Sequence, residues 1–87
     1  MSKEGKFIEL IFVVNGEDTP VKFNIKEPLH AARNKALAES GNTGRPPHEW
    51  EVRTEAGVLL EASAKLESLG LQSGTRLFLS LGVGGGG

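Results

Sequence analysis

The feature that most restricts the fold is a pair of apolar runs joined by an Asn-Gly dipeptide near the start of the chain. The first run, Phe7 to Val14, is rich in aromatic and β-branched residues, and Asn15-Gly16 follows it directly. The second run, Val21 to Ile25, alternates apolar and polar residues. Alternation is typical of a strand with one buried face, and Asn-Gly is a strong signal for a hairpin turn. The sequence therefore predicts an N-terminal β-hairpin.

The charged residue Glu9 decides which face of the first strand is buried. Side chains alternate across a strand, so the even-numbered residues from Ile8 to Val14 are expected to point inward. Phe7, Ile11 and Val13 then share the outer face with Glu9. In the second strand the inward positions are Val21, Phe23 and Ile25.

The segment after the hairpin predicts a single helix. Pro28 suits a first helical turn, residues 29–40 are good helix formers, and Gly41 can adopt the left-handed conformation that ends a helix. An apolar stripe that can lie on a sheet is formed by Leu29, Ala32, Ala36 and either Arg33 or Leu37.

The second half of the chain predicts further strands. Pro46-Pro47 indicates a loop, because proline breaks both helix and central strand. A strand from Trp50 to Thr54, a short strand from Val58 to Glu61 and a last strand from Thr75 to Leu81 follow. The residues expected to point inward are Trp50, Val52, Leu77, Leu79 and Leu81, and a helical turn between the last two strands carries Leu66, Leu69 and Leu71.

This order of elements predicts an α+β fold, with one helix packed across a mixed sheet of four to five strands. The last strand follows a long excursion, so we expect it to return and pair with the first strand inside the sheet. A chain of 87 residues is expected to form one domain. We assign residues 1–82 to that domain and residues 83–87 to a flexible glycine tail.

Composition removes several functional classes. The chain has no cysteine, so neither a disulfide nor a thiolate metal site is available. A net charge of −1 does not favour a nucleic-acid partner. The longest apolar run, Leu10 to Val14, is far too short to span a bilayer. His30 and His48 stand alone in the sequence, so we expect no catalytic set, no metal and no cofactor. We also expect a cytoplasmic protein without a membrane partner.

Several of these pieces together resemble the ubiquitin-like (β-grasp) family, over nearly the whole chain from Phe7 to Gly86. The resemblance rests on the order of elements, the Ala56-Gly57 turn, residues 64–72, and a leucine-alternating strand that runs into glycines. The Pro46-Pro47 pair and Trp50 are similar to small bacterial ubiquitin-like proteins encoded beside conjugation-type enzymes. The resemblance implies a β-grasp fold and a terminal di-glycine, either Gly85-Gly86 or Gly86-Gly87.

Two departures from the family pattern affect recognition. The position of the family's arginine just after the last strand, used in docking to the activating enzyme, holds Gly82 here. The family's apolar recognition patch corresponds here to Glu51, Arg53 and Ser80, with Phe78 as the main apolar group. A receptor for the familiar patch is therefore expected to bind poorly.

The glycine run Gly84, Gly85, Gly86 and Gly87 is the candidate conjugation tail. Glycine has no Cβ, so it passes through a channel that side chains would block. The six residues after Leu81 span about 20 Å when extended, which is enough to reach into a partner's active site. The resemblance implies an ATP-dependent activating enzyme, downstream conjugation or processing enzymes, and target proteins as partners of a monomeric, non-catalytic protein modifier.

Three other interpretations of the chain stay open from the sequence. Glycine runs are commonly linkers or unpacked termini. A sulfur carrier of the same fold would use the same tail, as a thiocarboxylate. A non-covalent binding module would instead use an apolar patch on the outer face, for which the candidates are Phe7, Ile11, Val13 and Phe78, provided that the first and last strands pair.

Overall fold

The computed structural model describes residues 6–82, and the predicted glycine tail at 83–87 lies outside them. Within the described residues there are four strands, one α-helix and two short 3₁₀ helices, at Pro47–Glu49 and Leu66–Leu69. The longer elements are β1 (Phe7–Val14), β2 (Glu17–Asn24), α1 (Leu29–Glu39), β3 (Trp50–Arg53) and β4 (Arg76–Leu81). None of the helices between residues 6 and 82 is long and apolar enough to cross a bilayer.

The four strands form one mixed sheet in the order β2-β1-β4-β3. β1 pairs antiparallel with β2 and parallel with β4, and β3 pairs antiparallel with β4. The last strand therefore returns to the centre of the sheet beside the first, which confirms the predicted topology. One helix on a four-stranded mixed sheet is the α+β arrangement that the sequence indicated.

The hairpin turn has the conformation that its sequence favours. Asn15 and Gly16 have φ angles of 51° and 82°, as a two-residue type I′ turn requires. β2 starts at Glu17, four residues before the predicted run, even though it contains Pro20. In this register the backbone of Pro20 faces away from β1, so its missing N–H removes no bond from the ladder of this edge strand.

The core lies between α1 and the inner face of the sheet. The inner residues Leu10, Phe12 and Val14 are fully buried, as are Leu77 and Val52, and Ile8 is half-buried. From α1 the buried residues are Leu29, Ala32, Arg33, Ala36 and Leu37, so both alternatives for the predicted stripe, Arg33 and Leu37, are buried.

The free backbone groups at the two ends of α1 find their hydrogen-bond partners in different ways. At the start, the N–H groups of Leu29 and His30 donate to the carbonyls of Ala64 and Ala62, at 2.8 and 2.9 Å, in place of a capping side chain. At the end, Gly41 has a φ of 79° and its N–H donates to Ala38. Together with the Asn42 to Leu37 bond this forms a Schellman motif, and it confirms Gly41 as the terminator.

Two expectations about strands are wrong. Residues 58–61 form one bridge, Arg53 to Leu59, and not a strand, because the chain leaves β3 to place the carbonyls of residues 62 and 64 at the start of α1. Leu81 was expected to point into the core, but it is 42% exposed, because it is the last residue of β4 and lies beyond the cover that buries Leu77 and Leu79.

Candidate functional site

The last strand ends at the tail root, which we define as Leu81 and Gly82 with the adjoining Glu49 and Glu51. Gly82 is the last described residue, and its N–H donates to the carbonyl of Glu49 at 2.9 Å. This bond holds the end of β4 to the start of β3. The predicted conjugation residues Gly84, Gly85, Gly86 and Gly87 follow in the sequence and lie outside the described residues.

A carboxylate lies against the backbone of Gly82. A methyl group placed on Gly82 would be 2.9 Å from Oε2 of Glu51 and 3.2 Å from its Cδ. The other oxygen, Oε1, accepts a bond from Arg53 Nη2 at 3.2 Å, and Arg53 Nη1 donates to the carbonyl of Gly57 at 3.1 Å. The acidic side chain beside the tail root is thus held in place by the neighbouring strand residue.

The tail root is also flanked by buried polar atoms. Leu81 pairs in register with Trp50, whose indole Nε1 is buried without a hydrogen-bond partner among the described residues. Nη1 of Arg33 donates to the carbonyl of Trp50 at 3.4 Å, and Nε of Arg33 donates to Asn34 at 3.0 Å. Burial lowers the pKa of the Arg33 guanidinium, because the charged form loses water.

The outer face brings three of the four predicted patch residues together. Val13 and Phe78 are register partners on β1 and β4, and Ile11 lies two residues from Val13 on the same face. Arg76, the register partner of Ile11, reaches across β1 to Asp18 with two bonds of 3.0 and 3.2 Å. This ion pair crosses the apolar patch between Ile11 and Val13.

The fourth patch residue, Phe7, lies elsewhere on the sheet. Glu9 separates it from Ile11, and four residues of strand amount to about 13 Å. Phe7 is 57% exposed and lines an open groove of about 360 Å³ at the β2 edge. The other residues of the groove are Lys22, Phe23, Asn24, Glu27 and Lys35.

Two residues that sequence analysis did not include extend the patch on either side. Pro20 is the register partner of Ile11, and Leu59 pairs with Arg53, which is itself the partner of Phe78. Only the strand register and the isolated bridge reveal these neighbours. Between residues 6 and 82, no three His, Asp or Glu side chains come close enough to hold a metal ion.

Comparison with known proteins identifies the family of this chain. Residues 3–87 match the family described as "Protein of Unknown function (DUF2604)". The chain belongs to the DUF2604 family. The DUF2604 chain is also 46% identical, over 77 residues, to the uncharacterized protein y4jI of Sinorhizobium fredii (strain NBRC 101917 / NGR234). The match covers 88% of this chain and 59% of that relative, so the chain spans about three fifths of the relative's length.

Solved structures similar to this DUF2604 chain have the ubiquitin-like fold. A de novo design based on ubiquitin matches with a TM-score of 0.76 and 22% identity, covering 93% of this chain and 95% of the design. A chain from a structure described as molecular mimicry of SUMO that promotes DNA repair matches with a TM-score of 0.74 and 16% identity, covering 87% and 92%. The fold is therefore the ubiquitin-like β-grasp, as the resemblance implied.

Proposed function

We propose that this DUF2604 chain is a ubiquitin-like protein modifier whose C-terminal glycine is activated and joined to amines on target proteins. The observation that supports this is the position of the glycine run. β4 is a central strand of a ubiquitin-like sheet and ends at an exposed Leu81, and in the sequence Gly82 and Val83 connect it to the glycine run.

The proposed chemistry uses the chain as a substrate. The terminal glycine carboxylate attacks the α-phosphate of ATP, which releases pyrophosphate and leaves an acyl-adenylate. A thiolate of the activating enzyme displaces AMP to form a thioester, and a lysine amine of the target then displaces the thiol to form an amide. Residues without side chains suit such a tail, because they can pass through a narrow channel in whatever backbone conformation it requires.

We assign every catalytic group in this scheme to the partner enzymes. Both histidines of the chain, His30 and His48, are exposed on different elements, and neither has a carboxylate partner among the described residues. The core lies between α1 and the inner face of the sheet, and the N–H of Gly82 donates to the carbonyl of Glu49. Gly82, after which the proposed tail follows in the sequence, is thus held to the sheet.

The test is activation in vitro by purified ubiquitin-type activating enzymes with ATP, followed by ATP–pyrophosphate exchange and intact-mass spectrometry. Exchange, a thioester and target peptides that carry a glycine remnant on lysine are the expected results. A matched control chain that ends at Gly82 should give no exchange. Replacement of a terminal oxygen by sulfur would instead assign the chain as a sulfur carrier, and absence of exchange with every enzyme would contradict the modifier proposal.

A further inference from the structure

The contact between Glu51 and Gly82 bears on which partner can take the tail. Oε2 of Glu51 lies only 2.9 Å from the point that the Cβ of a residue at position 82 would occupy, which is closer than two such atoms normally approach. A protein that encloses the tail from Gly82 onward must also cover this oxygen. The carboxylate is therefore part of any surface on which the tail is captured.

The carboxylate is only half satisfied by its own domain. Arg53 binds Oε1 alone, and its second terminal nitrogen is directed to the carbonyl of Gly57. No donor among residues 6–82 binds Oε2. The other acidic side chain at the tail root, Glu49, is also bound through one oxygen, since Nη2 and Nε of Arg45 both donate to its Oε1, at 2.9 and 3.0 Å. Of the two carboxylate oxygens at the tail root without a donor among residues 6–82, the one on Glu51 is thus the one that lies against Gly82.

We infer that Glu51 is a specificity determinant for tail capture, and that the activating enzyme presents a guanidinium or ammonium group beside Gly82. The physical reason is desolvation. Covering a half-exposed carboxylate removes its water, and Arg53 compensates for that loss at Oε1 alone, so the partner has to supply a charged donor at Oε2. A partner surface with an acidic group at this point would meet the carboxylate with like charge and be rejected. This inference rests on the proposed function.

The absence of a side chain at Gly82 leaves the space that the Glu51 carboxylate approaches. A side chain there would displace the carboxylate, since the nearest atoms are those of the Glu51 side chain and not backbone. The φ of Gly82 is not in the left-handed region, so alanine is tolerated by the backbone. Gly82→Ala is therefore a second way to move the charge while keeping Glu51.

The experiment compares Glu51→Lys, Glu51→Gln and Gly82→Ala with a matched reversal, Glu55→Lys. Glu55 lies in the exposed turn at the opposite end of β3, so its reversal changes net charge equally at a distance from the tail root. The probe is the activating enzyme that accepts the wild-type chain in the exchange experiment above, and the readouts are kcat and KM for pyrophosphate exchange.

We expect Glu51→Lys to lower kcat/KM about tenfold or more, mainly through KM, with Glu51→Gln and Gly82→Ala between it and the wild type. Glu55→Lys should stay within about twofold. The thermal midpoints of all four variants should match the wild type, which separates recognition from folding. Equal kcat/KM for Glu51→Lys and Glu55→Lys would overturn the inference while the wild type remains active. A wild type that no enzyme activates would overturn the proposed function, and the inference with it.

Discussion

The two faces of the sheet differ in how deeply they bury their side chains, and two adjacent residues of β4 show the difference. Leu77 points inward and is fully buried under α1, whereas Phe78 points outward and is half-buried beside Val13. The core between the inner face and α1 is apolar except for Thr19 on β2 and Arg33 on α1 among the described buried residues. The outer face mixes apolar residues with ion pairs such as Arg76–Asp18. The free energy of folding therefore comes mainly from the inner face.

The largest expected effect comes from truncating neighbours on opposite faces. Leu77→Ala should lower the free energy of unfolding by about 2–5 kcal/mol, because it removes buried methyl groups and leaves a cavity. Phe78→Ala should cost about 1 kcal/mol or less, since its side chain is partly solvated. Urea denaturation of both variants gives the comparison, and equal losses would remove the distinction between the faces.

Arg33 of α1 is a buried cation that faces the core. Arg33 is 7% exposed and has no carboxylate partner among the described residues, and its burial lowers the pKa of the guanidinium. Arg33→Met should leave the free energy of unfolding unchanged or raise it by about 1–2 kcal/mol, because a buried charge is replaced by an apolar chain of similar length.

The stability difference between Arg33→Met and the wild type can also be compared at different pH values. The folded-state pKa of Arg33 is lowered below its unfolded value, so stability would rise with pH only at a pH that approaches that pKa. Arginine stays protonated across the usual range, so the difference between Arg33→Met and the wild type should be the same at mildly acidic and mildly alkaline pH. A loss of more than about 2 kcal/mol would show that the bonds of Arg33 to Trp50 and Asn34 outweigh the desolvation.

A smaller effect is expected on the outer face. A double-mutant cycle of Asp18→Asn and Arg76→Gln should give a coupling energy of about 0.2–1 kcal/mol, because both side chains are about half exposed. Salt should reduce the coupling, since mobile ions screen exposed charges. A coupling of several kcal/mol, unaffected by salt, would mean that this ion pair holds the sheet together.

Local patterns in the sequence predicted much of the inner face. Alternation around Glu9 assigned the facing of β1, Asn15-Gly16 set the hairpin, and Gly41 ended α1. The predictions that were wrong or incomplete concern segments whose structure depends on contacts with distant parts of the chain. Pro20 stands inside β2 because that strand is an edge, and residues 58–61 are drawn away to the start of α1.

The candidate site was less predictable because it depends on register and on contacts between distant segments. Phe7 and Ile11 share a face in the pattern, yet Glu9 separates them and Phe7 lines a groove at the β2 edge. The approach of Glu51 to Gly82 joins residues 31 positions apart. No spacing in the sequence marks that contact, since it arises from the pairing of β3 with β4.

The smallest expected effect on stability, and the most direct test of the account, comes from removing residues 83–87 from the chain. We predict a free energy of unfolding within about 0.5 kcal/mol of the full chain, since four of these five residues are glycines, which have no side chain to bury. We also predict complete loss of ATP–pyrophosphate exchange with the activating enzyme that accepts the full chain. Unfolding at markedly lower urea would show that the tail is part of the fold, and undiminished exchange would show that the glycine carboxylate is not the group activated.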